Sequence, residues 1–391
     1  MRMTRHSLGA GLLLSVLAAA ALCAPTAAAL EIIVQPYLQY PTQTAITVCW
    51  ETDQPAASEA ACGASAAKLE WAPATGDATV HQATFKGLET DQCYFYQVRS
   101  TAADGTVVKS EVLTFQTAVG DESPFSFIVM CDTQSNPNEL STLANLAWAQ
   151  RPHFVLLGGD HVSDGTVKEQ WTGHFFANMH PLISRAALIP TFGNHDKDSP
   201  YYYEYFALPD PEYCYSFRYG NLELFLLDSQ RPMRADSEQY AWVEGALKAS
   251  RADWKIVCFH KVPYSSDFND YGATDKVRTP GGDLGLRRIL PLFEKHGVDI
   301  VWGGHIHSYE RTHPLKGGKP VLEGGILYMI TGGGGGGLEQ FAPWRLPFSA
   351  KVYSGHHYCL VSVHGPTLRI EARDLQDRIF DQVELSKNKR R

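Results

Sequence analysis

An α/β domain preceded by a small all-β sandwich is the architecture this sequence predicts, and three observations carry it. From Leu30 to Val119 apolar and polar residues alternate at strand period, and no helical period interrupts them. Beyond a turn-rich link, "AVGDESP" with Val119–Pro124 at its heart, short apolar runs alternate with amphipathic stretches, as strands exchanged with helices do. Five of those apolar runs end in Asp, Asn or His, where α/β folds gather functional side chains.

The chain opens on "MRMTRHSLGAGLLLSVLAAAALCAPTAAALE": Arg2 and Arg5, an uncharged apolar run from Leu8 to Cys23, then Ala27-Ala28-Ala29. This three-part pattern predicts a cleavable secretory signal over 1–29 and a secreted or periplasmic protein. The run is shorter than the roughly 20 apolar residues of a spanning helix, and no later run approaches that length, so no membrane span is expected.

In the sandwich, assigned to 30–119, "TAITVCWET" puts Ile46, Val48 and Trp50 on one face and "CYFYQVRS" does the same for Tyr94, Tyr96 and Val98. Cys62 and Cys93 fall in this domain and could form a disulfide in an oxidising compartment. The large domain, 125–385, has candidate strands "FSFIVMC", "HFVLLGG", "AALIPTFG", "LELFLLD", "WKIVCFH", "VDIVWGG" and "ILYMITGG". Its candidate helices run around Asn138–Gln150, Ser237–Ala249 and Leu286–His296.

With 391 residues, 44% hydrophobic and 19% charged, the chain is long enough for two domains and unlike a disordered one. Cleavage would lower the 34 basic side chains to 32 against 42 acidic ones, a formal charge of −10. Affinity for a polyanion comes largely from Lys and Arg, so no nucleic-acid-binding platform is expected, and the basic tail "KNKRR" reads as a solvated end.

The chemistry lies at the strand ends: Asp132 after "FIVMC", Asp160 after "FVLLGG", Asn194 and His195 after "IPTFG", His260 after "KIVCF", His305 and His307 after "VWGG". Singly, each has a bland explanation, since such an Asp usually caps a turn and a buried His is usually only hydrogen-bonded. Together they are hard to attribute to chance. In extended backbone, residues two apart project to the same side, so His305-x-His307 aims both rings at one place. Gly303 and Gly304 suit a backbone that turns sharply and approaches a ligand closely. Cys131, next to Asp132, should point the opposite way into the core, and Cys258, two residues before His260, is likewise read as a core thiol and not a ligand. Carboxylates, an amide and imidazoles suit borderline divalent ions or iron better than calcium. The donors outnumber the needs of one tetrahedral ion, so two ions sharing a carboxylate is the economical reading.

The order D…GD…GNH[DE]…H…GHxH resembles the calcineurin-type metallophosphoesterases, and "GGHIHSYER" resembles the purple acid phosphatases most closely. "PYLQYPTQTAITVCWET" and "FKGLETDQCYFYQV" are similar to the fibronectin type III-like leader domain of the latter. The resemblance spans nearly all of the chain after the signal. It implies a β-sandwich flanked by helices (αββα). It also implies that Asp132, Asp160 and His307 hold one metal while Asp160, Asn194, His260 and His305 hold the other. The cofactors would be two divalent or trivalent ions, Fe, Zn or Mn. Two departures stand out. The family's tyrosine three residues after the bridging aspartate is Ser163 here, so no ferric-tyrosinate colour is expected. Gln134 takes the place of the histidine in the Asp-x-His of many metallophosphoesterases, and its carbonyl would either ligate the first metal weakly or hydrogen-bond a bound water.

The expected reaction is hydrolysis of a phosphate ester, with two cations acidifying a bound water that attacks phosphorus in line. His195 would protonate the leaving group or hold a phosphate oxygen, oriented by Asp196 or another carboxylate, with a merely bracing role as the alternative. Lys261, Tyr264 and His161 could touch substrate, although solvation explains them equally well. Substrate choice would lie in the loops Ser265–Asp283 and Phe341–Tyr353. The run "TGGGGGGLEQ" satisfies a crude nucleotide-loop search but lacks the following Gly-Lys-Ser/Thr, so it reads as a flexible or tightly turning loop near the site. No G-x-S-x-G elbow supports a serine hydrolase. Glu310 and Arg311 read as a structural ion pair. Monoester hydrolysis is the leading expectation, diester or nucleotide hydrolysis the nearest alternative, and a noncatalytic binding protein with a relic metal site the rival of another class.

Overall fold

The computed structural model describes residues 29–75, 78–267, 281–341 and 345–387. Nearly all of the signal segment, the basic tail beyond Lys387 and parts of both expected substrate loops lie outside the described residues. Lys387 itself is not a solvated end, since its ammonium pairs with Asp299 at 2.6 Å and lies over the Trp254 ring. In the leader domain, Ile32–Gln39, Ala45–Thr52 and Val80–Lys86 form one antiparallel layer. Lys68–Pro73, Ala57–Ser65, Cys93–Thr101, Val107–Lys109 and Leu113–Gln116 form the other. Ile46, Val48 and Trp50 close against Tyr96, Val98 and Phe115 between the layers, with Tyr94 partly buried beside them, as the alternation predicts.

The opposite face of the first layer is also buried, because it packs on the large domain. Val34, Tyr37 and Cys49 share a core with Phe176, Leu188 and Tyr205. Among the polar ties that cross this seam, Tyr37 Oη–H donates to the Tyr205 carbonyl (2.6 Å), Tyr96 Oη–H to the Ser184 carbonyl (2.7 Å) and Tyr205 Oη–H to the buried Glu51 carboxylate (2.8 Å). A single parallel bridge, Gln39 to Leu188, joins the leader layer to a sheet of the large domain.

The expected Cys62–Cys93 disulfide is absent, and both thiols are free. Cys62 stands opposite Tyr96 and Cys93 opposite Gln116, so the register of Ala57–Ser65 on Cys93–Thr101 sets them three positions out of line. Such an offset exceeds the reach of a disulfide.

Two facing sheets build the large domain. One runs Ile379–Ser386, Thr367–Asp374, His357–His364, Phe125–Met130, Phe154–Leu157 and Ala187–Pro190. The other runs Tyr215–Tyr219, Leu222–Leu226, Trp254–Cys258, Ile300–Gly303, Leu327–Thr331, Tyr309–Thr312 and Ser349–Tyr353. All seven strands read from the sequence are present, and their inner faces meet in one core that includes Phe127, Leu156, Leu224, Ile256 and Trp302. Helices cover both outer faces. Pro137–Ala149 and Ala177–Ile183 pack on the first sheet. Glu238–Ala249, whose Ser237 cap accepts the Tyr240 N–H, and Leu290–His296 pack on the second. The helix expected over Leu286–His296 is broken into a 3-10 turn, Leu286–Arg288, and an α-helix from Leu290, with Pro291 in the first turn, where its missing N–H costs least. Among the described residues no helix is long and apolar enough to cross a membrane.

Candidate metal centre

Parallel strands end together, so the loops after Phe125–Met130, Phe154–Leu157, Ala187–Pro190, Trp254–Cys258 and Ile300–Gly303 open on one edge of the sandwich. Asp132, Asp160 and His305 turn out of their strands with φ of 60°, 53° and 69°, a left-handed conformation that residues other than glycine adopt rarely and that clusters at functional sites. Gly304 has no such φ, and the sharp turn expected of the glycine pair falls on His305. Close approach, the other half of that expectation, is found, since a Cβ on Gly304 would sit 2.1 Å from Asp132 Oδ2.

Asp160, His260 and His305 each bring one donor atom within 4.8 Å of the others. His260 Nε2 lies 3.0 Å from Asp160 Oδ2 and 3.8 Å from Asp132 Oδ1, and His307 Nε2 lies 3.5 Å from Asp132 Oδ1. Asp132 and Asp160 are buried, and backbone amides orient both: Asp132 accepts the His305 N–H (2.9 Å) and Asp160 the His195 N–H (2.7 Å).

Three imidazoles are held by carbonyls in the same way. The Nδ1 atoms of His260, His307 and His195 lie 2.9, 2.8 and 2.7 Å from the carbonyl oxygens of Gly158, Gly337 and Ser163. A carbonyl only accepts, so each Nδ1 carries the hydrogen and each Nε2 is left for other partners. The Gln134 Oε1 and Asn194 Oδ1 atoms are buried without a hydrogen-bond partner among the described residues. Buried acceptors are seldom left unpaired, and these two sit on the loops that carry Asp132 and His195. Gln134 also turns its Nε2 to His307 Nε2 at 3.1 Å.

Charge balance follows from this packing. Burial disfavours the protonated forms of His260 and His307, but the neighbouring aspartates outweigh it and raise both to about 9. His305, half-buried beside His260, is held well below the ordinary histidine range by desolvation and by that neighbour. Burial raises Asp132, whereas His260 and the surrounding donors overcome burial at Asp160 and depress it.

Several expectations are corrected. Asp196 does not orient His195, a task that falls to the Ser163 carbonyl. Asp196 is wholly buried and accepts instead from the backbone N–H groups of Asp160, His161 and Gly193. His161 is closed off from substrate among Trp171, Phe175, Tyr202 and Phe206. Tyr264 is a core residue, packed on Tyr328 and Phe348 with the Arg287 guanidinium over its ring, and Lys261 is buried too. Arg311 pairs with Asp381 and not with Glu310, which accepts the Ser266 N–H, because neighbours on a strand face opposite ways. Cys131 and Cys258 are buried, as expected of core thiols.

The glycine run proved more constrained than a flexible loop. The Gly334 N–H donates to the Cys131 carbonyl and the Gly336 N–H to that of Asp132. A Cβ on Gly332 would sit 2.0 Å from the Ile306 carbonyl oxygen, and one on Gly336 2.6 Å from the His307 ring. The run is a closely packed wall of the site. Its bareness of side chains was the sequence signal for this, but the loops that it touches lie too far along the chain for pattern reading to name them.

Residues 125–309 match the family model for the calcineurin-like phosphoesterases, and residues 33–117 match that for the purple acid phosphatase N-terminal domain. Over 352 residues the chain is 25% identical to the Arabidopsis thaliana protein named probable inactive purple acid phosphatase 27, an alignment covering 77% of this chain and 56% of that one. It is 23% identical to a Hordeum vulgare protein named nucleotide pyrophosphatase/phosphodiesterase, covering 74% of this chain and 91% of that one. The chain spans just over half the length of the first of these relatives. The fold matches that of a purple acid phosphatase from yellow lupin (Lupinus luteus) seeds, with a TM-score of 0.81 at 21% identity over 91% of this chain and 74% of that one. The two family matches, laid on the two folded units that carry them, make the chain a calcineurin-like phosphoesterase domain joined to a purple acid phosphatase N-terminal domain.

Proposed function

We propose that the protein is an exported hydrolase of phosphate monoesters that works with two metal ions. The observation that carries this reading is the convergence of two buried aspartates, carbonyl-held imidazoles and two unpartnered side-chain oxygens at one sheet edge. Such a set suits metal ions better than it suits itself, since Gln134 Oε1 and Asn194 Oδ1 find no hydrogen-bond partner among the described residues. Asp132, Asp160, His307 and Gln134 would hold one ion and Asp160, Asn194, His260 and His305 the other, with Asp160 shared. When bound, the ions would acidify water and neutralise charge on phosphoryl oxygens.

The remaining work belongs to the chain. The Ser163 carbonyl occupies the Nδ1–H of His195 and leaves Nε2 for another partner, so the imidazolium form would give its Nε2 proton to the departing ester oxygen. The carbonyl clamps on His260 and His307 keep their rings from rotating, so ligand geometry is set before substrate arrives. With Ser163 at the tyrosine position, a divalent pair of Zn, Mn or Fe is favoured. Export is supported by the signal pattern at the amino terminus.

A second reading, phosphodiester or nucleotide hydrolysis, is favoured by the name of the Hordeum vulgare relative. The name of the Arabidopsis relative favours a noncatalytic protein, against which stands the retention here of every expected donor but the tyrosine. Turnover of the monoester and diester of one aryl alcohol by the metal-loaded protein decides among the three. Faster diester cleavage would replace the monoester reading, and no turnover of either would remove the enzyme.

A further inference from the structure

His161 and Asp196 form a buried pair with no role in the chemistry above. Both side chains are wholly inaccessible, with His161 Nδ1 3.0 Å from Asp196 Oδ2. Asp196 Oδ2 also accepts the N–H of Asp160 (3.1 Å) and of Gly193 (2.8 Å), and Oδ1 accepts that of His161 (3.0 Å). One carboxylate therefore gathers donors from both the Asp160 loop and the Asn194 loop. A return tie runs the other way, from the His195 N–H to Asp160 Oδ1. Two consecutive amides, those of Asp160 and His161, can converge on one carboxylate here because the chain turns left-handed at Asp160. A third tie, Gly165 N–H to the His195 carbonyl at 2.8 Å, closes the two loops.

We infer that His161 and Asp196 are positioning residues: the pair locks the two loops together so that the Asp160 carboxylate and the Asn194 amide face the same centre. The inference rests on the metal-centre reading above. The side-chain donor has a specific part. Asp196 alone, held by backbone amides, could still swing with either loop; the His161 ring, walled in by Trp171, Phe175, Tyr202 and Phe206, anchors it to the core of the domain. His161 Nε2 has no hydrogen-bond partner among the described residues, so the ring is kept for what Nδ1 does and for its packing. Groups of this kind, which touch ligands without touching the metal, commonly change metal affinity about tenfold to a hundredfold when removed.

The test compares full-length wild type with His161→Leu, which fills the aromatic box without a donor, and His161→Asn, whose amide restores a donor near the Nδ1 position. Mn(II) binding is titrated calorimetrically, melting is recorded on the metal-free proteins, and kcat and KM are measured on an aryl phosphate. The expected result is a cooperative melt for both variants. His161→Leu should bind Mn(II) about tenfold to a hundredfold more weakly, with the loss in kcat and little change in KM, and His161→Asn should recover most of the affinity. Mn(II) binding by His161→Leu equal to wild type, or no recovery in His161→Asn, overturns the inference while leaving the metal centre in place. A wild type that takes up no Mn(II) overturns both. If His161→Leu does not fold, His161→Met, which fills the box with a flexible apolar chain, takes its place under the same criteria.

Discussion

The Nδ1 atom of His195 lies 2.7 Å from the carbonyl oxygen of Ser163, the residue that stands where the resembled family has a tyrosine. The position has no phenol yet still shapes the site, through its backbone. With Nδ1 donating, the Nε2 of His195 is the atom that can meet a leaving group. His195→Ala should lower kcat about 10²- to 10⁴-fold on an alkyl phosphate, whose leaving oxygen needs a proton, and far less on a nitrophenyl phosphate. Equal losses on the two substrates would move His195 from proton donor to phosphate holder.

Loss of single ligands gives a second prediction. Metal analysis of the purified protein should find about two transition-metal ions per chain, the number that paired-metal phosphoesterases use. Asn194→Ala removes the unpartnered oxygen assigned to one ion, and His260→Ala removes an imidazole next to both aspartates. Each should lower occupancy toward one ion and abolish most hydrolysis while the melt stays cooperative. Unchanged metal content and turnover in both variants would remove the site assignment.

What the sequence disclosed and what it hid follow from distance along the chain. Asp132, Asp160, Asn194, His260 and His305 were legible because each follows the end of its own strand within a few residues, so a local pattern of apolar run and donor marks it. The strands His357–His364, Thr367–Asp374 and Ile379–Ser386 were not read. Placing His357–His364 beside Phe125–Met130 requires a pairing across more than half the chain, which no local period encodes. The same applies to His161, whose neighbour Asp160 suggested a substrate contact but whose real partner, Asp196, is 35 residues away. Burial of both faces of Ala45–Thr52 likewise depends on a domain that the strand itself does not specify.

The two ends of the glycine run 332–337 should respond differently to an added methyl group. A Cβ on Gly332 would overlap the Ile306 carbonyl oxygen at 2.0 Å, and backbone cannot move aside cheaply. Gly332→Ala should destabilise by about 1–3 kcal/mol in urea titration, as overpacking does. A Cβ on Gly337 would have nothing within 4 Å, so Gly337→Ala should fall within about 0.5 kcal/mol of wild type. Similar effects at the two positions would show that the run is a pliable loop and not a packed wall.

Acid should weaken the fold through His357. Its ring is buried beneath the glycine run against Tyr309, Tyr353 and Phe380, and its Nδ1 lies 2.8 Å from the Gly355 carbonyl oxygen. Burial, reinforced by the nearby His356 and only partly offset by that hydrogen bond, lowers it to about 4. The unfolded chain takes up this proton near the ordinary histidine value of about 6.5, well before the native state does. Native His357 is thus the poorer proton binder in this interval, and stability rises with pH across it. The contribution is complete above about pH 6.5 and is lost as pH falls toward about 4, amounting to about 3 kcal/mol. In the metal-free protein, His357→Asn, whose amide can still donate to Gly355, should flatten the fall in urea midpoint across that interval. His260 and His307, raised in the native state, act in the opposite sense at higher pH and are common to both proteins, so the difference between the two curves isolates His357. Parallel curves for wild type and variant would mean that His357 can be protonated in the folded protein at little cost.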